Sequence, residues 1–143
     1  MTDINYDIDK TENEYIHFEG DTLSELEKFL YSDSVFKDCC GYITYVNSNA
    51  NVKADLAIAA LNGYGVYLGF CDEEHVYLSV ADRLKLCNVL DVWGDGLYVS
   101  EGLFISPQLA WKGICEFVKT GKWCKEIEWI TPNDLPDEGN YIC

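Results

Sequence analysis

Basic residues are scarce in this chain. Lysine and arginine number 10 against 25 aspartates and glutamates in 143 residues, a formal net charge of −15. A surface of that sign repels nucleic-acid phosphates and anionic lipid headgroups, so neither nucleic acid nor membrane is an expected partner, and a basic protein is the natural complement. Histidine is nearly missing, with His17 and His75 alone, which leaves little material for imidazole-based metal sites or proton transfer. No apolar stretch approaches the ~18 residues of a membrane span. The chain opens Met-Thr-Asp-Ile-Asn-Tyr-Asp, without a basic start or an apolar run, so no secretory leader is expected. No Cys-x-x-Cys occurs, and the seven cysteines are an odd set. They are expected to be reduced thiols in a cytoplasmic protein.

What is present suffices for a core. Apolar residues make up 48% of the chain, and no repeat, linker or low-complexity stretch divides it, so residues 1–143 are expected to form one domain. The most legible stretch runs from Ser106 to Ile130. Ser106 is a good N-cap, and Pro107 suits the first helical position, where no N–H is needed. Ala110, Ile114, Phe117 and Val118 repeat with helical spacing. Gly121 can take the left-handed conformation that ends a helix, with Lys119 and Lys122 near the negative end of its dipole. Ile127 to Ile130 is expected to return as a strand.

An earlier helix is announced by Thr22-Leu-Ser-Glu25, a capping box, followed by the stripe Leu23, Leu26, Phe29 and Leu30; Ser32-Asp33-Ser34 ends it. From Tyr42 the period changes to two. Tyr42–Val46, Asp55–Leu61, Val66–Phe70, Val76–Val80 and the pair Val89–Trp93 and Leu97–Ser100 read as strands. Asn62-Gly63 predicts a type I′ turn, and Asp72-Glu-Glu-His75 an acidic one. Residues 1–21 are acidic and weakly periodic, suited either to an edge strand or to a loosely held tail. Residues 131–143, with Pro132, Pro136 and Gly139, read as an irregular tail. The expected class is α+β: an antiparallel meander of about five to seven strands, covered on one face by an N-terminal and a C-terminal helix.

Catalytic signatures are absent or broken. Gly63-x-Gly65-x-x-x-Gly69 has the wrong spacing for a dinucleotide fingerprint and lies between strands. Asp91, Asp95 and Gly96 match three positions of a calcium loop, but Trp93 and Gly102 stand where ligands are required. Cys71 with His75 supplies two metal ligands at most. As a nucleophile pair these two have no oxyanion hole beside them. No catalytic residue, metal site or cofactor is therefore expected.

The meander and closing helix resemble the Imm1 family of bacterial immunity proteins of polymorphic toxin (contact-dependent inhibition) systems. The matching residues are Leu56-Ala-Ile-Ala-Ala, Gly65-Val-Tyr-Leu-Gly-Phe with its acidic turn, Asp95-Gly96, Ile105-Ser-Pro-x-x-Ala110, Glu116-Phe-Val-x-Thr-Gly121 and Ile127-Glu-Trp129. Such proteins commonly carry Arg-Pro after that glycine; here Lys122-Trp123 stands instead. The resemblance covers roughly residues 40–130. It implies a non-enzymatic protein that binds the basic C-terminal domain of a cognate toxin, a nucleic-acid deaminase or nuclease, and blocks its active site.

For such a role the candidate contact residues are the acidic ones in exposed turns of the meander: Asp72, Glu73, Glu74, Asp91, Asp95 and Glu101. Trp93 and Tyr98 are candidate aromatic anchors, although Trp93 suits the core equally. Trp111 and Trp129 read as packing residues, and Trp123 suits either role. Competing readings are an acidic scaffold or adaptor, a protein mimic of DNA, and a cysteine hydrolase using Cys71 and His75. A DNA mimic spaces its carboxylates like phosphates along an elongated surface, whereas here they cluster in turns and in the N-terminal segment.

Overall fold

The protein is described from a computed structural model, which describes residues 2–10, 15–19, 23–32, 35–36, 38–92 and 97–142. Its strands and helices, in chain order, are β1 (Thr2–Lys10), β2 (Tyr15–Glu19), α1 (Leu23–Leu30), β3 (Tyr31–Ser32), β4 (Val35–Phe36), β5 (Cys39–Asn47), β6 (Val52–Leu61), β7 (Gly65–Asp72), β8 (Val76–Ser79), β9 (Val89–Asp91), β10 (Tyr98–Ser100), α2 (Pro107–Thr120) and β11 (Trp129–Ile130). Seven strands form one antiparallel sheet in the order β11-β8-β7-β6-β5-β1-β2. The expected α+β class holds, with an antiparallel meander and both helices on one face.

That face is built by simple alternation. Ile4, Tyr6 and Ile8 of β1, Ile43 and Tyr45 of β5, Leu56 and Ile58 of β6, and Val66, Leu68 and Phe70 of β7 point the same way and are buried. Leu26 and Leu30 of α1 and Ala110, Ile114, Phe117 and Val118 of α2 lie over them. The terminal helix has the predicted ends. The Ser106 hydroxyl accepts from the Leu109 N–H at 3.2 Å, and Gly121 has φ 71°. Gly113 lets α2 approach closely, because a Cβ there would collide with Leu68 and Ile127.

Four findings depart from the sequence reading. First, the N-terminal segment adds two strands and not one: β2 is an edge strand of the main sheet, as the edge reading allowed, but Thr2–Lys10 is internal, since β1 sits between β5 and β2, paired along its whole length with Cys39–Asn47. Asp3 and Asp7 belong to the outer side of a strand whose inner side is Ile4, Tyr6 and Ile8. Second, Asn62-Gly63 does not make a type I′ turn. Tyr64 N–H donates to Leu61 O at 3.0 Å, and only Gly63 of the central pair has positive φ. Leu61 pairs with Gly65, so the loop has three residues and the geometry differs accordingly.

Third, β9 and β10 form their own two-stranded sheet instead of extending the meander. Fourth, the outer face of the main sheet is not uniformly free. Over β7 and β8 it carries a second core in which Tyr67 and Leu78 meet Leu86, Val92, Val99, Leu103 and Phe104. Short 3-10 turns at Arg83–Lys85, Glu101–Leu103 and Pro132–Asp134 supply this cover in place of long helices. The C-terminal segment is irregular, as expected, yet Leu135, Tyr141 and Ile142 pack on that core. The Tyr67 hydroxyl donates to Ile142 O at 2.5 Å, and Asn140 exchanges hydrogen bonds with Ser100 at 2.8 and 2.9 Å.

The first helix ends at Leu30, ahead of the expected stop at Ser32-Asp33-Ser34, because Tyr31–Ser32 is already β3; the expected N-cap Thr22, Asp33, Ser34 and the hairpin tip Trp93-Gly-Asp-Gly96 lie outside the described residues. No helix among the described residues is long and apolar enough to cross a membrane.

Candidate functional site

The Asp72–His75 turn is the best-built of the predicted contact regions. It joins β7 to β8 at the end of the sheet where α2 also ends. Asp72 closes it from within: its Oδ1 accepts the backbone N–H of Glu74 at 2.9 Å and of His75 at 2.7 Å, and the His75 ring at 3.1 Å. Partial burial pushes the Asp72 carboxyl up, but the two backbone N–H groups and the imidazole outweigh it and hold the group below the ordinary carboxylate range. Asp72 is thus spent on the shape of the turn. Glu73 and Glu74 are exposed, and no cation pairs with either among the described residues.

Beside the turn stands a cluster of rings that sequence reasoning only half anticipated. The His75 imidazole stacks on Tyr77 with centroids 5.3 Å apart, and Trp123 meets His75 at 5.3 Å, Tyr77 at 5.0 Å and Phe70 at 5.4 Å. Trp123 and Tyr77 are half-buried, flanking the first core. Trp123 belongs here because the helix stops at Gly121, where a Cβ would strike the Tyr45 ring. The signal available in the sequence was the position of Trp123 two residues past a helix-ending glycine; its neighbours come from a non-local pairing. Of the other tryptophans, Trp129 donates its indole N–H to Cys124 O at 2.8 Å and Trp111 packs edge-on against Tyr31 at 5.7 Å, both in packing roles.

The remaining predicted residues lie elsewhere. Asp91 and Tyr98 face each other across β9 and β10, both exposed. Glu101 is half-buried and pairs with Lys85 at 3.1 Å, which ties a 3-10 turn to its neighbour. Hydrogen bonding to Glu101, and then its charge, raise the Lys85 pKa. Trp93 and Asp95 lie outside the described residues. The hairpin packs over the second core on the outer face, whereas the rings beside the acidic turn flank the first core on the helix face. The predicted contact residues are therefore carried by elements on both faces of the sheet.

Cys71 and His75 are not brought together. Cys71 pairs with Val76 and Phe70 with Tyr77, so alternation turns Cys71 to the outer face while the imidazole stacks on Tyr77 at the helix side. The His75 Nδ1 is already directed at Asp72. Among the described residues no three potential metal ligands converge.

Compared with known protein families, with curated proteins and with solved structures, the chain matches none of them.

Proposed function

We propose that the chain is a non-catalytic immunity protein that captures the basic C-terminal domain of a cognate toxin and covers its active site. The observation that carries this reading is the acidic turn. Two exposed carboxylates, Glu73 and Glu74, are held on a loop fixed by Asp72, against the half-exposed rings of His75, Tyr77 and Trp123. Carboxylates beside aromatic faces suit a lysine or arginine side chain, which gains both an ion pair and a cation–π contact. The net charge of −15 adds long-range steering toward a cationic partner. Rapid capture matters for self-protection, because each free toxin molecule is a catalyst. The resemblance of residues 40–130 to Imm1 proteins points the same way, toward a deaminase or nuclease whose nucleic-acid cleft is basic.

The test is genetic and then biochemical. The adjacent upstream gene is expected to encode a large protein ending in a small toxic domain. That domain, co-expressed with this chain, is expected to co-purify at low salt and to dissociate as salt rises. Failure to co-purify at low salt overturns the reading, and salt-insensitive binding overturns its electrostatic part. An acidic adaptor is the second reading, favoured by the spread of the acidic residues over elements on both faces of the sheet; it predicts capture of a basic protein with no toxic activity.

A further inference from the structure

Asn62 is the only asparagine of the chain that precedes a glycine. The pair forms the tip of the β6–β7 loop, at the opposite end of β7 from the acidic turn. The Tyr64 N–H donates to Leu61 O at 3.0 Å, and of the two central residues Gly63 alone has positive φ, 90°. That combination is a type II turn. Residues 62–64 are exposed, and a Cβ placed on Gly63 would meet nothing within 4 Å. Among the described residues neither the Asn62 side-chain amide nor the Gly63 N–H makes a hydrogen bond. Asn62 is held by its backbone instead: its N–H donates to Asp38 Oδ1 at 2.6 Å.

We propose that Asn62 is a site of spontaneous covalent modification, converted through a cyclic imide to aspartate and isoaspartate with water as the co-reactant. The Gly63 N–H gives its proton to solvent base, and its nitrogen attacks the Asn62 Cγ. The Gly63 N–Cγ bond forms, the Cγ–NH2 bond breaks, and the departing nitrogen takes up a proton and leaves as ammonia. Water then opens the ring, and nothing is oxidised or reduced. Water adding at Cγ breaks the new bond and leaves aspartate at 62. Water adding at the main-chain carbonyl leaves isoaspartate, whose main chain runs through the former side chain and is one carbon longer.

Three observations carry the reaction. Glycine has no side chain to shield the attacking nitrogen. Neither reacting group has to give up a hydrogen bond first. The third is freedom of rotation. Ring closure needs the 62–63 peptide to turn about the Asn62 Cα–C bond until the nitrogen meets Cγ. Type II and type I turns differ by a flip of that peptide and share the bond from Tyr64 N–H to Leu61 O. Glycine at 63 accepts the φ of either turn, and no neighbour blocks the swing.

The products alter this end of the molecule. The new carboxylate arises in the wall of a cleft of about 270 Å³ that Asn62 shares with Tyr64, Ser106 and Pro107, beside the first turn of α2, whose dipole favours a negative charge. The longer isoaspartate chain cannot keep the Leu61–Gly65 pairing in place. Gly65 sits hard against Ile105 O, and Val66 exchanges hydrogen bonds with Ile105 at 2.9 and 2.8 Å. A displaced loop therefore disturbs the segment that leads into α2. The site depends on no partner and stands apart from the immunity reading.

The test incubates the folded full chain in mildly alkaline heavy-oxygen water and maps its peptides by mass spectrometry. Conversion is expected at Asn62 ahead of Asn49, an exposed turn asparagine followed by alanine, with heavy oxygen in both products. The folded rate at Asn62 is expected to lie within about tenfold of the rate in the guanidinium-unfolded chain, the ratio that a rotation costing about 1.4 kcal/mol leaves. Gly63→Ala is expected to slow conversion about tenfold. In the aged, ¹⁵N-labelled chain amide shifts are expected at residues 61–66 and at Ile105 and Ser106, and not at 72–75. Conversion of Asn49 first, a folded rate below the stated range, or Gly63→Ala converting like the parent overturns the proposal. If Gly63→Ala disturbs the turn, the folded-to-unfolded ratio and the order of Asn62 and Asn49 decide the matter alone.

Discussion

The two faces of the main sheet are covered by different means. Over the inner face lie two helices whose apolar residues recur with helical spacing. Over part of the outer face lie turns, a two-stranded sheet and residues from the segment 132–142, with little periodicity in their sequence. Both arrangements bury large side chains completely: Phe117 and Phe70 on one side, Tyr67, Leu78, Val99 and Leu103 on the other. The difference teaches that complete burial does not require regular cover. The irregular cover depends instead on individual hydrogen bonds that stitch it to the sheet.

Truncating the inner core sets the scale. Phe117 touches both the Tyr45 and Phe70 rings, at 6.1 Å each, and is fully buried. Phe117→Ala is expected to cost about 4 kcal/mol, and Leu103→Ala on the outer side about 3 kcal/mol. Both are read from urea midpoints. Coincident transitions by tryptophan fluorescence and far-ultraviolet dichroism are expected in the parent and in both variants. Two separated transitions in Leu103→Ala would break the comparison, by showing the outer cover to be an independent unit.

Ser79 is the main stitch. Its hydroxyl, fully buried, accepts the Leu68 N–H at 3.0 Å and donates to Leu103 O at 2.8 Å, joining the sheet to the 3-10 turn above it. Ser79→Ala leaves a buried donor and a buried acceptor unmatched and is expected to cost about 2 kcal/mol. Tyr67→Phe removes the hydroxyl that donates to Ile142 O. About 1 kcal/mol is expected, with faster amide exchange at residues 139–142 and no change in α2. Equal acceleration in α2 would mean that the tail and the helix layer open together.

The same contrast explains what could be read from the sequence. α2 was legible to its ends because Ser106, Pro107 and Gly121 each have one local physical job. Strands β6, β7 and β8 were legible because they alternate or run apolar between turn residues. β1 was ambiguous because its outward residues are almost all acidic. Ile4, Tyr6 and Ile8 alternate with them, but the charge masks a period of two over so short a span. The second core was illegible, since Leu86, Val92, Val99 and Leu103 are brought together by turns of chain that no repeat announces. The candidate site divides likewise. The acidic turn was visible as Asp72-Glu-Glu-His75, but its partner Trp123 lies about fifty residues on. Asp91 and Tyr98 sit on a two-stranded sheet of their own, because β9 and β10 leave the main sheet, which short strand signals do not encode.

The smallest expected effect concerns the turn itself and is read through pH. The folded state holds the Asp72 carboxyl below its ordinary value, near 3.9 in the unfolded chain. Above about pH 4 the group is ionised in both states, and its contribution to stability is fully present. As pH falls below that value the unfolded chain binds the proton first, so the contribution shrinks until the folded group is protonated as well. Asp72→Asn keeps an oxygen that can accept from the Glu74 and His75 N–H groups but carries no charge. The parent is therefore expected to exceed the variant by less than about 1 kcal/mol at neutral pH, and the gap is expected to close toward pH 3. Other carboxylates titrate equally in both proteins and cancel in the difference. A gap that fails to close between about pH 5 and pH 3 would show that the carboxylate does not hold the turn through its charge, and the rigidity invoked for Glu73 and Glu74 would need another source.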